Sequence, residues 1–176
     1  MGTRAVYGFK KNGKYKVTLR ICDGYLKNLG KDIFETLQKT SIEKLNKIFD
    51  NIKLVDENVK PTKDQIEKYS KYTKADCADI LKSLGRPMNW IYLINLASGK
   101  FKRYTEGLDV MVDGHSYLNE REDWEFKYLI DLDDNTFSVY QSSPYARFER
   151  KTKEICKLEL EKISNYINLS DIVSSF

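Results

Sequence analysis

Two β-rich runs, Arg4 to Phe9 and Tyr15 to Cys22, are joined by Lys10-Lys11-Asn12-Gly13-Lys14. Asn-Gly supplies both positive φ angles of a type I′ turn, whose twist matches that of paired strands, so the chain opens with a β-hairpin. A strand this early needs partners further along, and one segment has the right pattern. Trp124, Phe126, Tyr128 and Ile130 alternate with Glu125, Lys127, Leu129 and Asp131. That two-residue period is what a half-buried strand requires. Asp133-Asp134-Asn135 then turns the chain, and Thr136 to Tyr140 pairs back.

The residues between these hairpins read differently. Ile33, Phe34 and Leu37 have helical spacing after Gly30. Thr40 with Glu43 forms a capping box ahead of the stripe Ile42, Leu45, Ile48, Phe49 and Ile52. Thr62 with Gln65 repeats it, and a third start at Thr73 leads through Cys77, Ile80 and Leu81 to a stop at Gly85. Residues 32–84 are thus a helical insert. The apolar run Trp90 to Leu96, a Ser98-Gly99 turn and Phe101 to Tyr104 predict a further hairpin. Near the end, Ser143-Pro144 opens a helix, and Cys156, Leu160, Ile163 and Ile167 form one stripe along it. The expectation is a single α+β domain spanning 1–176. It has an antiparallel sheet of three hairpin-like units, the helical insert and a long C-terminal helix.

Charge is strongly segregated. Residues 1–31 hold eight bases and one acid, whereas residues 105–134 hold ten acids and two bases. Such asymmetry speaks to partners and solubility rather than fold. Two arrangements follow: the segments neutralise each other in space, or each faces its own partner. No apolar run approaches the roughly 20 residues of a membrane helix, and the lysine-rich start is unlike a signal peptide. A cytoplasmic protein with no membrane contact is therefore expected. Cys22, Cys77 and Cys156 have no metal-ligand or disulfide spacing and read as small buried hydrophobes.

Three constellations carry candidate chemistry. The hairpin tip, Lys10, Lys11, Lys14, Tyr15 and Lys16, offers ammonium groups for phosphates and a ring for an unpaired base, a pattern suited to an anionic partner or nucleic acid. The acidic surface Asp109, Asp113, Glu120, Glu122 and Asp123 suits docking on a basic groove. Within it, Asp109, Asp113 and the only histidine, His115, are candidate ligands for a divalent metal that would activate water in a small hydrolase of nucleotides or nucleic acid. Asp131-x-Asp133-x-Asn135 lacks the glycine and glutamate of a calcium loop and reads as a turn. No phosphate-binding glycine loop, serine elbow or helical zinc motif is present, and no cofactor is implied.

The opening Met1-Gly2-Thr3-Arg4, the hairpin, then Asp23-Gly24-Tyr25 and Leu29-Gly30 resemble a poorly characterised family common in bacteriophages and prophages. Its members often begin Met-(Ser/Gly)-Thr-Arg-Gly and continue, after a short hairpin, to His-(Trp/Phe)-Asp-(Gly/Ser)-Tyr-Pro-x-x-(Leu/Val)-Gly. The stretch from Glu125 to Tyr140 is similar to a segment those proteins carry downstream. The family's His-aromatic pair is Ile21-Cys22 here, and its proline is Leu26. Asp23, Gly24, Tyr25 and Gly30 then suit a structural turn. The resemblance implies a phage-related setting and an α+β fold, without an agreed chemistry. The reading that joins these observations is a non-catalytic phage-type accessory protein in the host cytoplasm. It would bind a host protein or ribonucleoprotein complex, most concretely as an anti-defence inhibitor of a nuclease complex. The metal-dependent hydrolase is the enzymatic alternative, and a phage structural or assembly component is the third.

Overall fold

The computed structural model describes residues 2–73, 75–96, 99–118, 124–142, 152–169 and 173, and of 75–78 the backbone alone. The chain runs through β1 (Ala5–Lys11), β2 (Lys14–Arg20), a single π-helical turn (Leu26–Gly30), α1 (Lys31–Leu37), α2 (Ile42–Asn51), β3 (Lys53–Val55), α3 (Lys63–Tyr69), α4 (Ala75–Ser83) and α5 (Trp90–Leu93). A 3-10 turn at Phe101–Tyr104 leads to β4 (Val110–Val112), β5 (Phe126–Asp131), β6 (Thr136–Ser142) and β7 (Thr152–Glu159). Asn12 (φ 51°) and Gly13 (φ 69°) occupy the left-handed region that the type I′ turn demands.

The main sheet has the order β2-β1-β5-β6-β7. All its pairs are antiparallel except β1 with β5, which run parallel from Ala5↔Phe126 to Lys10↔Asp131. β3 and β4 form a separate two-stranded parallel ribbon. With strands on both sides of β1, its alternating side chains serve two cores. Ala5, Tyr7 and Phe9 join the large core with Ile33, Phe34, Leu45 and Phe49 from α1 and α2. Val6 joins Val17, Trp124 and Leu129 on the opposite face, where Tyr117 and Leu118 pack over them.

Three expectations are corrected. The sheet is not wholly antiparallel, because β1 finds its second neighbour in β5 across a long insert. The middle hairpin is absent: Trp90–Leu93 is a helical turn and Phe101–Tyr104 a 3-10 turn. A continuous apolar run has no period that separates buried strand from buried helix. Here Asn89 decides, its side chain accepting the Tyr92 N–H at 3.1 Å as an N-cap. Asn95 (φ 49°) then closes the turn, with the Leu96 N–H reaching the Ile91 carbonyl. The C-terminal helix is replaced by β7. Cys156, Leu158 and Leu160 are buried while Lys157 and Glu159 are exposed, a two-residue alternation. The longer stripe drawn through Ile167 fails, since Ile167 is 93% exposed. Ser143-Pro144 lies outside the described residues.

Two caps shift. Ser41, not Thr40, caps α2 by accepting the Lys44 N–H at 3.2 Å, while Thr40 donates to the Thr36 carbonyl. Thr73 donates to the Leu93 carbonyl at 2.8 Å. The box at Thr62 and Gln65 forms with both of its reciprocal bonds. Cys156 is buried, which raises its thiol pKa to about 11, whereas Cys22 is only half-buried. The Cys77 side chain lies outside the described set.

The turn at 23–30 is clamped onto the sheet. The Gly24 N–H donates to the Thr3 carbonyl at 2.9 Å, and the Gly24 carbonyl accepts from the Tyr128 hydroxyl at 2.8 Å. A Cβ on Gly24 would stand 2.7 Å from the Ala5 Cβ and 2.9 Å from the Ala5 nitrogen, inside the first residue of β1. Gly24→Ala is therefore expected to destabilise the fold by about 1–3 kcal/mol through overpacking. Urea unfolding would read that loss, and a midpoint equal to that of the parent chain would refute the clamp.

Candidate functional site

The lysines of the first hairpin are largely turned to internal work. Lys10 Nζ lies 2.7 Å from Asp131 Oδ2 and 3.8 Å from an Asp133 oxygen. The Asp131 hydrogen bond raises the lysine's pKa. Lys11 pairs with Asp50 at 2.8 Å. Lys16 donates to the Phe49 and Ile52 carbonyls, both at 2.6 Å, and sits 4.6 Å from the Phe49 ring centroid. Those carbonyls belong to the last turn of α2, where a cation satisfies orphan acceptors and opposes the helix dipole. Burial lowers the Lys16 pKa. Tyr15 meets the His115 ring edge-on at 6.3 Å. Lys14 alone of the five is exposed, the others being half-buried.

The acidic segment is equally engaged. Asp133 accepts the Asn12 and Gly13 N–H groups at 2.5 and 3.2 Å, clipping the tip of one hairpin to the turn of the other. Those bonds hold its carboxyl below the usual range. Asp109 accepts from Lys68 Nζ at 2.7 Å and the Tyr69 hydroxyl at 2.8 Å. Burial pushes its pKa up, but these donors outweigh burial and leave it lowered. Asp113 accepts the His115 N–H at 2.9 Å within its own turn. The three proposed metal ligands thus stand in separate roles. Among the described residues no group of three His, Cys, Asp or Glu side chains could hold a metal ion. Glu120, Glu122 and Asp123 lie outside the described residues.

A cleft of about 390 Å³ opens where β2 ends, between the π-turn, α1 and the segment at Lys100. Among the described residues Leu29 is its one apolar lining residue; Arg20, Asn28, Lys31, Asp32, Glu35 and Lys100 are polar or charged. Arg20 is only 6% exposed. Its Nε donates to the Cys22 carbonyl at 2.6 Å, and one Nη donates to the Gly99 carbonyl. Asp32, in the first turn of α1, accepts the Phe101 N–H. Burial raises the Asp32 pKa, opposed by that N–H and by the charges of Lys100, Arg20 and Lys102. Arg20 and Asp32 feel each other electrostatically, yet no ion pair joins them. Lys31 and Glu35 form a loose i,i+4 pair at 3.7 Å on one rim. Lys100, exposed, makes no ion pair among the described residues.

The turn that carries Asp23, Gly24, Tyr25 and Gly30 also holds Asn28 and Leu29, which line this cleft. Asp23 (φ 57°) and Gly24 reverse the chain after β2, and the exposed Tyr25 donates to Asp23 at 3.2 Å. Gly30 lets the π-turn press on Tyr128; a Cβ there would lie 3.0 Å from its ring. π-Helical turns occur often at functional sites. Sequence reasoning counted Arg20 only as one base among eight and passed over Asp32 and Lys100. The one local signal was an acid in the first turn of a short helix. Nothing in the spacing of positions 20, 32 and 100 announces that they converge. No protein-family model, curated protein or solved structure matches the chain.

Asp32 and Asp133 are expected to have opposite pH signatures. Asp133 has a depressed folded pKa, so its contribution is present above the ordinary carboxylate range, near pH 3.9, and is lost as pH falls through the folded value. Asp133→Asn should lower Tm at pH 7, with the gap narrowing as pH falls below the ordinary carboxylate range. Asp32 has a raised folded pKa, so the folded state carries a penalty at neutral pH that vanishes as pH falls and the carboxyl protonates. Asp32→Asn should raise Tm at pH 7 and leave it unchanged in acid. Thermal melts across pH 3–7 check both signs; a Tm loss in Asp32→Asn at pH 7 would contradict the second.

Proposed function

We propose that the chain is a non-catalytic accessory protein of phage type, acting in the cytoplasm of a host cell by binding a host macromolecule. Its most concrete form is an anti-defence inhibitor of a nuclease complex. The observation that carries this reading is the cleft: a guanidinium and a carboxylate held by backbone partners, unpaired with each other, share its lining with the exposed Lys100. Charges fixed before a partner arrives reduce the ordering cost of association. They also set orientation and specificity, and the exposed ones steer encounter. The resemblance of the first thirty residues supports the phage setting, and those residues build β1, β2 and the turn that walls the cleft.

The reading replaces the lysine tip with the cleft rim as the contact surface, because Lys10, Lys11 and Lys16 are already committed within the fold. It is tested by immobilising the full chain and challenging it with purified nuclease defence complexes and with lysate of cells that carry them. Capture at low salt, its loss near 0.5 M salt, inhibition of nuclease activity and at least a tenfold weakening in Lys31→Glu/Lys100→Glu are expected. Undiminished nuclease activity at saturating protein would overturn it. Capture that survives the charge reversal would move the contact elsewhere.

A further inference from the structure

The geometry points to a ligand class for the cleft: a sugar phosphate, with the phosphate on Arg20 and Lys100 and the sugar hydroxyls on Asp32. This rests on the cleft being the binding surface, but it stands apart from which macromolecule is bound. The cleft falls within the range of small-molecule sites, about 300–1,000 Å³. Its lining is unlike that of a typical drug-sized pocket, with a single apolar residue and no aromatic ring among the described residues. Such a surface gains little from burying a base or an acyl chain and much from meeting polar groups.

The groups present divide into two recognition elements. Arg20 has two of its donor nitrogens committed to carbonyls, of Cys22 and Gly99. A guanidinium carries five N–H donors in a planar fork, so pinning two nitrogens orients the rest instead of exhausting them. Lys100 adds a mobile ammonium at the rim, and an arginine fork with a lysine is a recurrent phosphate receptor. Asp32 is a carboxylate with the Phe101 N–H on one oxygen, leaving acceptor capacity toward the cleft. A half-buried carboxylate that forms no ion pair is satisfied by hydroxyl donors, as acidic residues that grip a ribose diol are. A bare phosphate would meet Arg20 and Lys100 but face Asp32 as a like charge; a sugar phosphate satisfies both.

The test is calorimetric titration of the full chain with ribose 5-phosphate, adenosine and uridine 5′-monophosphates, 2′-deoxyadenosine 5′-monophosphate and inorganic phosphate. Ribose 5-phosphate should saturate one site, with the adenosine and uridine nucleotides alike within threefold, since none of the described lining residues is aromatic. The 2′-deoxy nucleotide and inorganic phosphate should bind at least fivefold more weakly. Lys100→Glu and Asp32→Asn should each weaken ribose 5-phosphate tenfold or more while their melts show folded protein. No saturable heat at about 10 mM, equal binding of inorganic phosphate, or unchanged binding in both variants would each overturn the assignment. Should it fail while nuclease inhibition still depends on Lys31 and Lys100, the ligand class alone falls; loss of inhibition with sugar phosphate binding intact removes the accessory role and leaves the site.

Discussion

The parallel pairing of β1 with β5 is the constraint on which the rest of the structure depends. Parallel strands cannot be joined by a tight turn, so a crossover must carry the chain from one to the other. Here it spans everything between β2 and β5. Its two ends are close: Ala5 sits opposite Arg20 in one direction and Phe126 in the other. The insert therefore leaves and re-enters the sheet at the same end, on either side of the first residue of β1. Gly24, the π-turn and the cleft all gather at that end. The register is fixed twice over. A one-residue slip would turn Tyr7 and Phe9 out of the main core. It would also part Lys10 from Asp131 and the Asn12 turn from Asp133.

What the sequence made legible were the features that depend on neighbours in the chain. The Asn12-Gly13 hairpin, the Asp133–Asn135 turn and the Thr62–Gln65 cap each need only a few consecutive residues, and each is present. What failed was period where two periods coexist. Cys156 and Leu160 are four apart, but Cys156, Leu158 and Leu160 are also two apart, and only the sheet edge offered by β6 selects the strand. Trp90 to Leu96 carries no period, so its fate rested on Asn89, which caps a helix, and Asn95, which closes it.

The same limit governs the site. A lysine cluster in sequence is a surface only if the fold leaves it bare. Lys16 is drawn under the end of α2 because that helix stops with carbonyls in need of donors. Lys10 and Asp131 meet because the strands that bear them are neighbours in the sheet. The opposed charges of residues 1–31 and 105–134 are thus partly a folding device. Lys10 with Asp131 and Asp133 joins them directly, while Lys11 and Lys16 turn to α2 instead.

Arg20 and Asp32 differ from these pairs in a way that bears on function. Lys10 and Asp131 lie next to each other and cancel. Arg20 and Asp32 stand within each other's field and do not close into a pair, each tied instead to backbone atoms. Arg103 shows what a purely structural arginine does nearby. It is 7% exposed, donates to the Ile94 and Lys100 carbonyls and lines no part of the cleft. Both arginines donate to carbonyls of the segment from Ile94 to Lys100, but only Arg20 also lines the cleft. A burial that raises the pKa of Asp32 works against the folded state at neutral pH. Retaining that charge next to an unpaired guanidinium is understandable where a ligand completes both, because a bound phosphate and hydroxyl would supply the counter-charge and the donors that the fold itself withholds.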